Sequence, residues 1–450
     1  MKKHAIALLA LASLSAHGLA AVSADEAKEL GKSLTKYGAI KAGNKEGTIP
    51  EYTGGLTKAP ADFKPKRGFW ADPFKDEKAV LRIDGKNVDQ YADKLSEGQK
   101  TLLKKYPTYY MDVYPSHRTA AIPAKVLDAT VRNATTCKTL KNGLAVEADC
   151  RGGLPFPIPK TGYEVMWNLQ LRYKADTTTK SSRSWVVDSS GKAVMTAQQQ
   201  TLEETPYYHA DLDGRDPLMY WRTHSITQSP VRKAGEATGI VDYLDPTEKP
   251  RRAWSYTPGQ RRVKLAPEFS YDTPVSSMGG VTLFDELFVF SGMMDRFDFK
   301  LVGKKEMIIP YNDYKMAYNS TKDELLKPKF LNPDVVRWEQ HRVWVVEANL
   351  REGKRHVYSK RTFYIDEDSW TIVASDQYDA RGQLFRAGFA YVTPSYDAPA
   401  PWADMHGLYD LIAGSYSLSG YTAETGGMRY GKPASEREWS PDALAGAGIR

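Results

Sequence analysis

The chain has 450 residues and a formal net charge of +7, or +5 once Lys2 and Lys3 are discounted as part of a leader. Acidic residues are interspersed with basic ones, so no basic stripe indicates a nucleic-acid partner. The length fits one large domain or two small ones. Because no low-complexity linker and no internal repeat is present, we favour a single domain over residues 25–450.

The N-terminus has the pattern of a secretory signal peptide. Lys2 and Lys3 form its charged end, and an apolar run follows at residues 5–14. Residues 22–24 fit a cleavage site, with residues 18–20 as the alternative. The apolar run is too short for a membrane anchor. We therefore predict a signal peptide at residues 1–24 and a periplasmic protein.

Residues 25–136 are predicted to form an N-terminal helical segment. The predicted helices cover residues 25–40, 87–94, 97–105 and 124–136. Ser96 and Gln99 have the spacing of a capping box, which favours a helix start at residue 97. Residues 111–115 are predicted to be extended.

Two cysteines, Cys137 and Cys150, follow this segment. An isolated and closely spaced pair in an exported protein is most simply a disulfide, which contributes about 2–4 kcal/mol. A metal site would need further ligands, and the nearest histidines are distant in sequence.

From residue 152 onward the pattern is mainly β. Strands are predicted at residues 162–167, 169–174, 182–187, 192–199, 218–228, 240–244, 252–257, 261–265, 297–302 and 305–309. Pro258-Gly259 predicts a hairpin between two of them, and Gly303 predicts another. A short helix is predicted at residues 405–413, and an irregular tail from residue 424.

Residues 338–391 are predicted to form a β-meander of long antiparallel strands. Even positions of residues 338–350 are mostly apolar, whereas odd positions include Glu339, His341 and Glu347. This period of two predicts a sheet with one apolar face and one face in water.

Large aromatic side chains recur on the predicted strands, and residues of one parity share a face. The candidate ligand-binding residues are Trp167, Trp254, Trp344, Phe363 and Trp370. Ordinary core packing is the alternative, and it is the commoner fate of such residues. A curved sheet under a helical lid can nevertheless leave part of such a face lining a pocket.

Four arginines surround the Pro258-Gly259 turn: Arg251, Arg252, Arg261 and Arg262. Guanidinium groups in proximity could hold a lipid phosphate or an acidic loop of a partner protein. The alternative is a solubilising edge paired with carboxylates.

No nucleophile elbow and no His-Glu-x-x-His motif is present. His341 and His356 flank one predicted hairpin, where an exposed pair does not complete a zinc shell. Residues 366–368, Asp-Glu-Asp, resemble a carboxylate or calcium site but fit a polar turn better. We therefore predict no catalytic residue, no metal and no cofactor.

Several short motifs follow one another along the chain, at residues 47–50, 53–55, 106–107, 113–120, 152–159, 167–168, 253–263, 304–307, 310–312, 366–370 and 378–379. Together they resemble one family of exported bacterial proteins, domain-of-unknown-function family 1329, often labelled outer-membrane lipoprotein-sorting-like. The resemblance implies an α+β, mainly β fold similar to LolA and LolB. In that fold a large curved antiparallel sheet, or half-barrel, is closed by helices around an apolar cavity. Leu169 departs from the family pattern, which often has histidine there.

The resemblance also implies partners, namely an inner-membrane exporter of the resistance-nodulation-division type and an outer-membrane protein. The function predicted on these grounds is a periplasmic carrier or adaptor for a hydrophobic, lipid-like molecule rather than an enzyme. Two alternatives stay open: a hydrolase or lyase acting on a hydrophobic substrate, and a structural adaptor without a ligand.

Overall fold

A computed structural model describes residues 22–64, 68–209, 215–401 and 403–448. The charged end and the apolar run of the predicted signal peptide lie outside these ranges. Within them, no helix combines the length and the apolar character that crossing a membrane requires.

The chain forms short helices and many strands. The α-helices are α1 (Ala24–Ala27), α2 (Glu97–Lys105), α3 (Ala124–Thr136), α4 (Gly162–Leu171), α5 (Tyr314–Tyr318), α6 (Lys322–Leu325) and α7 (Pro441–Gly448). The strands of the N-terminal half are β1 (Leu81–Asp84), β2 (Tyr110–Val113), β3 (Thr139–Leu140), β4 (Ala145–Val146), β5 (Thr177–Val187), β6 (Ala193–Glu204), β7 (Met219–Ser229) and β8 (Ala237–Tyr243). The remaining strands are β9 (Arg252–Thr257), β10 (Arg262–Leu265), β11 (Phe297–Pro310), β12 (Trp338–Leu350), β13 (Lys360–Asp366), β14 (Ile372–Tyr378), β15 (Leu384–Ala390), β16 (His406–Asp410), β17 (Ser415–Tyr421) and β18 (Met428–Tyr430).

One large curved sheet organises the molecule. Its strand order is β1-β2-β12-β13-β14-β15-β16-β17-β5-β6-β7-β8-β9-β10, with β11 beside β12 and β18 beside β5. Neighbouring strands are antiparallel, except that β2 meets β12 in parallel at one position. The sheet does not close on itself, and helices pack on its faces. The predicted fold class, α+β and mainly β with a large curved antiparallel sheet, is confirmed.

Both faces of the meander are covered, so the prediction of one face in water is wrong. On one face, α2 begins against Asp376, whose carboxylate accepts the amides of Glu97 at 3.0 Å and Gly98 at 2.8 Å. On the other face, the 3-10 turn Phe284–Val289 packs over β14, β15 and β16. A Cβ on Gly388 would lie 3.3 Å from Cγ1 of Val289, which shows how closely that layer approaches.

Local signals located two helices correctly. The helix α3 has the predicted bounds, and the capping box before α2 is present, with the Ser96 hydroxyl accepting the Gln99 amide at 3.1 Å. The helix predicted over residues 25–40 is wrong, because only Ala24–Ala27 is helical and Gly31 has φ +87°. The predicted disulfide is confirmed: Cys137 and Cys150 are bonded, with their Cα atoms 5.5 Å apart.

Four other assignments are wrong. In place of the strands predicted at residues 162–167 and 169–174, the chain forms the helix α4, which ends at Leu171. This helix is buried over nearly all its length and so lacks an amphipathic pattern. Residues 297–309 form one strand, β11, with a bulge at Gly303 instead of a hairpin. Residues 405–413 contain the strand β16, and the tail contains β18 and α7.

Candidate ligand-binding cavity

A cavity of about 200 Å³ lies between the sheet and a long connection, residues 269–288. The strands β5 to β8 form its floor, the connection forms its roof, and residues near β16 and β17 close one end. The cavity therefore lies under an irregular segment and not under the N-terminal helices.

Hydroxyl and amide side chains form the floor of the cavity. They are Ser182, Ser184, Gln199, Thr201, Thr223, Ser225, Thr227 and Thr238. Alternate residues of a strand share a face, so the sheet presents these groups together. The register places Ser225 between Thr201 and Thr238, and the hydroxyls of Thr201 and Ser225 are 3.0 Å apart. The period-two spacing of Ser and Thr in β5 to β7 is the sequence signal that could have identified this face.

The roof is apolar and partly aromatic. Its main side chains are Phe269, Val275, Met278, Phe284, Leu287 and Phe288. The rings of Phe269 and Phe284 stack with centroids 4.4 Å apart. Phe288 and Val289 have backbone φ angles of +54° and +74°, which residues other than glycine rarely adopt. The floor and the roof thus give the cavity one polar wall and one apolar wall.

Buried charges close one end of the cavity. The Lys174 ammonium lies 2.7 Å from the Glu203 carboxylate, and the indole nitrogen of Trp221 donates to the same carboxylate at 2.8 Å. Lys180 forms an ion pair with Asp404. The Lys174 ammonium also lies 4.9 Å from the ring centroid of Phe288, a cation–π distance that joins this end to the roof.

Burial and ion pairing shift the pKa values of these groups in opposite directions. Burial by itself would raise the pKa of Glu203, but the charges of Lys174 and Lys180 outweigh it and lower that pKa. Burial lowers the pKa of Lys174, although Glu203 counteracts it. The carboxylate of Glu203 is therefore held ionised inside the protein.

His406 lies beside this charged end and is fully buried. Its Nδ1 donates to the backbone oxygen of Asp404 at 2.8 Å, so a neutral ring carries its lone pair on Nε2. Burial lowers the pKa of His406, which favours that neutral form. Nε2 of His406, Oδ2 of Asp404 and Oε2 of Glu203 have no hydrogen-bond partner among the described residues. All three are acceptors.

The aromatic residues predicted to bind a ligand lie elsewhere. Trp167 is buried in α4, not on a strand, and its indole nitrogen donates to the Gly143 oxygen at 2.8 Å. Trp254 is half-buried on β9, with the Arg252 guanidinium 5.0 Å from its ring centroid.

Only two of the five aromatic residues meet each other. Trp344 and Trp370 stack with centroids 5.9 Å apart, and Trp370 lies in the turn before β14 with φ +57°. Phe363 packs against Phe290, 5.4 Å away between centroids. None of these three lines the cavity, nor do Trp167 and Trp254. Their role in binding stays a prediction.

The four arginines do not form one exposed group. Arg251 is buried and forms a two-point ion pair with Asp242, at 2.7 and 2.6 Å. Arg252, Arg261 and Arg262 are exposed, as predicted for the hairpin. Arg251 does not share that exposure, because its guanidinium is buried against the Asp242 carboxylate, and its partner-binding role stays a prediction.

The histidines of the meander are buried, and so is the acidic turn, which corrects two expectations. His341 hydrogen bonds to Glu339 at 3.0 Å, and His356 hydrogen bonds to Asp285 at 3.0 Å, so the two rings do not face each other. Residues 366–368 are almost fully buried, and Glu367 and Asp368 form ion pairs, unlike a solvated turn.

The comparisons with known proteins agree on the family. The family model described as "Protein of unknown function (DUF1329)" matches residues 82–445. An uncharacterized protein of Pseudomonas aeruginosa is 40% identical over 451 residues, which cover 98% of each chain.

Two solved structures are similar to part of the chain. One is a candidate outer membrane lipoprotein-sorting protein domain from Vibrio parahaemolyticus, with 14% identity and a TM-score of 0.43 over 63% of this chain and 97% of that chain. The other is a DUF1329 family protein from Desulfovibrio piger, with 16% identity and a TM-score of 0.42 over 63% of this chain and 97% of that chain.

Proposed function

We propose that this chain, which belongs to the DUF1329 family as its motifs predicted, is a periplasmic binding or carrier protein. Its ligand would be an amphiphilic molecule with a hydrophobic tail. The cavity between the hydroxyl-rich floor and the apolar roof is the observation that carries this proposal. Apolar pockets with a few convergent polar groups are the usual form of a small-molecule site. The signal-peptide pattern supports the location.

The unpartnered atoms define the headgroup. His406, Asp404 and Glu203 each present a buried acceptor to which no described residue donates, and an unsatisfied buried polar atom costs about 1–3 kcal/mol. A ligand that supplies N–H or O–H groups removes that cost. We therefore expect an alcohol or an amine at the polar end of the ligand, because a carboxylate beside these three atoms would place acceptors against acceptors.

The roof has to move before a lipid-sized molecule fits. Ligand pockets commonly have roughly 300–1,000 Å³, and this cavity has about 200 Å³. Positive φ at Phe288 and Val289 places unfavourable backbone geometry in the roof segment. Lifting the turn Phe284–Val289 would relieve it and enlarge the cavity.

A matched series of ten-carbon compounds tests the headgroup. Decylamine, decanol and decanoate differ only at the polar end, and we expect the first two to raise the melting temperature of the protein while decanoate does not. His406→Gln should reduce that preference, because an amide nitrogen can then donate to a carboxylate. Equal stabilisation by all three would contradict the headgroup, and stabilisation by none would favour the ligand-free adaptor.

The partners are a further part of the proposal. An inner-membrane exporter of the resistance-nodulation-division type and an outer-membrane protein would pass the ligand on, and the exposed Arg252, Arg261 and Arg262 offer a positive contact surface. Replacing Arg261 and Arg262 by glutamate should abolish co-purification with such a partner. Unchanged co-purification would show that these arginines are not part of the interface.

A hydrolase is the second candidate, and one observation favours it. A buried neutral imidazole with a free Nε2 at a cavity wall can act as a general base. Ser419 lies opposite His406 in the β16–β17 register and also lines the cavity. Release of nitrophenol from medium-chain esters, lost in both Ser419→Ala and His406→Gln, would establish this activity. Hydrolysis that survives in Ser419→Ala would exclude that serine as the nucleophile.

A further inference from the structure

A second polar cluster, at the turn after β13, shares no residue with the lining of the cavity. Its carboxylates are Asp366, Glu367, Asp368 and Glu339, and its cations are Arg118, Lys304, Arg337 and Arg342. The carboxylates are all at most 4% exposed. Charges at such depth are normally paired, because an isolated buried ion is very unfavourable.

Asp366 is the exception to that pairing. Arg118 holds Asp368 with two hydrogen bonds, at 2.8 and 2.7 Å, and Lys304 reaches Glu367 at 2.7 Å. Asp366 forms no ion pair within the described residues, although it is 0% exposed. Its Oδ2 accepts the Ser369 amide at 2.8 Å, and its Oδ1 has no hydrogen-bond partner in the part of the chain that the structure describes.

Three side chains converge at this turn. His341, Asp366 and Asp368 each offer one ligand atom, and these three atoms lie within 4.8 Å of one another. The ring of Tyr311 stacks on His341 at 4.1 Å, and its buried hydroxyl also has no partner among the described residues. Unpartnered buried oxygens next to a set of ligand atoms indicate an ion rather than a packed core.

The outer contacts orient the imidazole for such an ion. His341 uses Nε2 to meet the Glu339 carboxylate at 3.0 Å, which leaves Nδ1 for coordination. Glu339 is itself held by Arg337 at 2.5 Å and by the Asn312 amide at 2.9 Å. Metal-binding histidines almost always have their second nitrogen fixed by a carboxylate or carbonyl in this way.

We propose that His341, Asp366 and Asp368 form a closed site for one divalent transition-metal ion of the zinc or manganese class. One imidazole nitrogen with carboxylate oxygens suits these ions, whereas calcium and magnesium prefer oxygen ligands throughout. The ion would also balance the charge of Asp366. Tyr311 borders the site and can supply a further oxygen.

The position of the site indicates a structural role. Arg118, which grips Asp368, also donates to the Ile40 oxygen at 2.8 Å. Glu367 accepts the Ile40 amide at 3.2 Å, and the Trp370 indole donates to the Tyr37 oxygen at 3.0 Å. The bound ion would therefore fix the N-terminal segment onto the turn between β13 and β14.

Metal content of the whole secreted chain tests the proposal. Chelator-treated protein is dialysed against Zn²⁺, Mn²⁺, Mg²⁺ or Ca²⁺, one at a time, and bound metal is measured by elemental mass spectrometry with the melting temperature. We expect about one equivalent of Zn²⁺ or Mn²⁺ and a higher melting temperature. Asp366→Asn and His341→Gln should each lose both effects.

The matched control is His356→Gln. His356 is also a buried imidazole whose Nε2 meets a carboxylate at 3.0 Å, but no second carboxylate converges on it in the described residues. This variant should keep its equivalent of metal. Absence of binding by the unmodified chain, or equal binding by His341→Gln and His356→Gln, would overturn the proposal. Metal binding by the unmodified chain can be measured whether or not the variants fold.

Discussion

Blocking the cavity from its floor is the sharpest test of the proposed carrier. Ser182 and Ser181 are adjacent on β5, and both are half-buried. Only Ser182 lines the cavity, because neighbouring residues of a strand point to opposite faces. Ser182→Trp places an indole in the cavity, and Ser181→Trp places the same indole on the other face. The pair has the same parent residue and the same new side chain.

The size of the effect follows from the cavity volume. Filling about 200 Å³ at roughly 24 cal/mol per Å³ gives at most about 5 kcal/mol. That free energy corresponds to a Kd of about 0.2 mM. Three hydrogen bonds from the headgroup to the free acceptors, at about 1 kcal/mol each, would bring Kd to about 1 μM.

Calorimetric titration with decylamine measures both variants. We expect Ser182→Trp to weaken binding at least tenfold, which is about 1.4 kcal/mol, because the indole takes the space of the tail. Ser181→Trp should bind within about twofold of the unmodified protein. Equal loss in both variants would mean that the ligand does not occupy this cavity, and unchanged affinity in Ser182→Trp would refute the volume argument directly.

Three further outcomes can be measured by unfolding. Burial raises the pKa of Asp376 to about 6, so its ionisation opposes folding above pH 6 and the opposition fades as pH falls. Relative to Asp376→Asn, the protein should gain about 2 kcal/mol between pH 7 and pH 4.5; a gain on raising the pH would contradict the shift. Replacing Cys137 and Cys150 by serine should lower the free energy of unfolding by about 2–4 kcal/mol in denaturant titrations, and no loss would show that the bond constrains little. Trp344→Ala should destabilise by less than the roughly 3–5 kcal/mol of a fully buried tryptophan. If the ligand occupies the cavity, decylamine affinity should be unchanged, whereas weakened affinity would support the ligand-binding role predicted for Trp344.

Local sequence patterns determined the parts of the fold that short-range physics controls. The bounds of α3, the capping box of α2, the hairpin at Pro258-Gly259 and the disulfide all depend on residues close together in the chain. The meander strands also followed from their period of two. Propensity, capping and loop closure act over a few residues, so a sequence shows them directly.

The sequence pattern does not show in the same way that a helix or strand is buried on several sides. The helix α4 and the strand β16 were assigned wrongly, because an element covered all round has no periodic contrast between faces. The same limit applied to His341 and His356, whose polar character indicated water on a face that the rest of the chain covers. A covering layer comes from distant segments, which the local pattern does not contain.

At both candidate sites, too, the sequence shows some features and only the fold supplies the others. The alternating Ser and Thr residues of the cavity floor are present in the sequence, but only the strand register and the connection over residues 269–288 make them one wall of a cavity. The acidic residues 366–368 were visible as a candidate carboxylate site, yet only the fold supplies His341 from another strand and leaves Asp366 without a cation. A sequence determines which groups are available, whereas distance, burial and charge pairing depend on segments tens to hundreds of residues apart, which only the tertiary structure brings together.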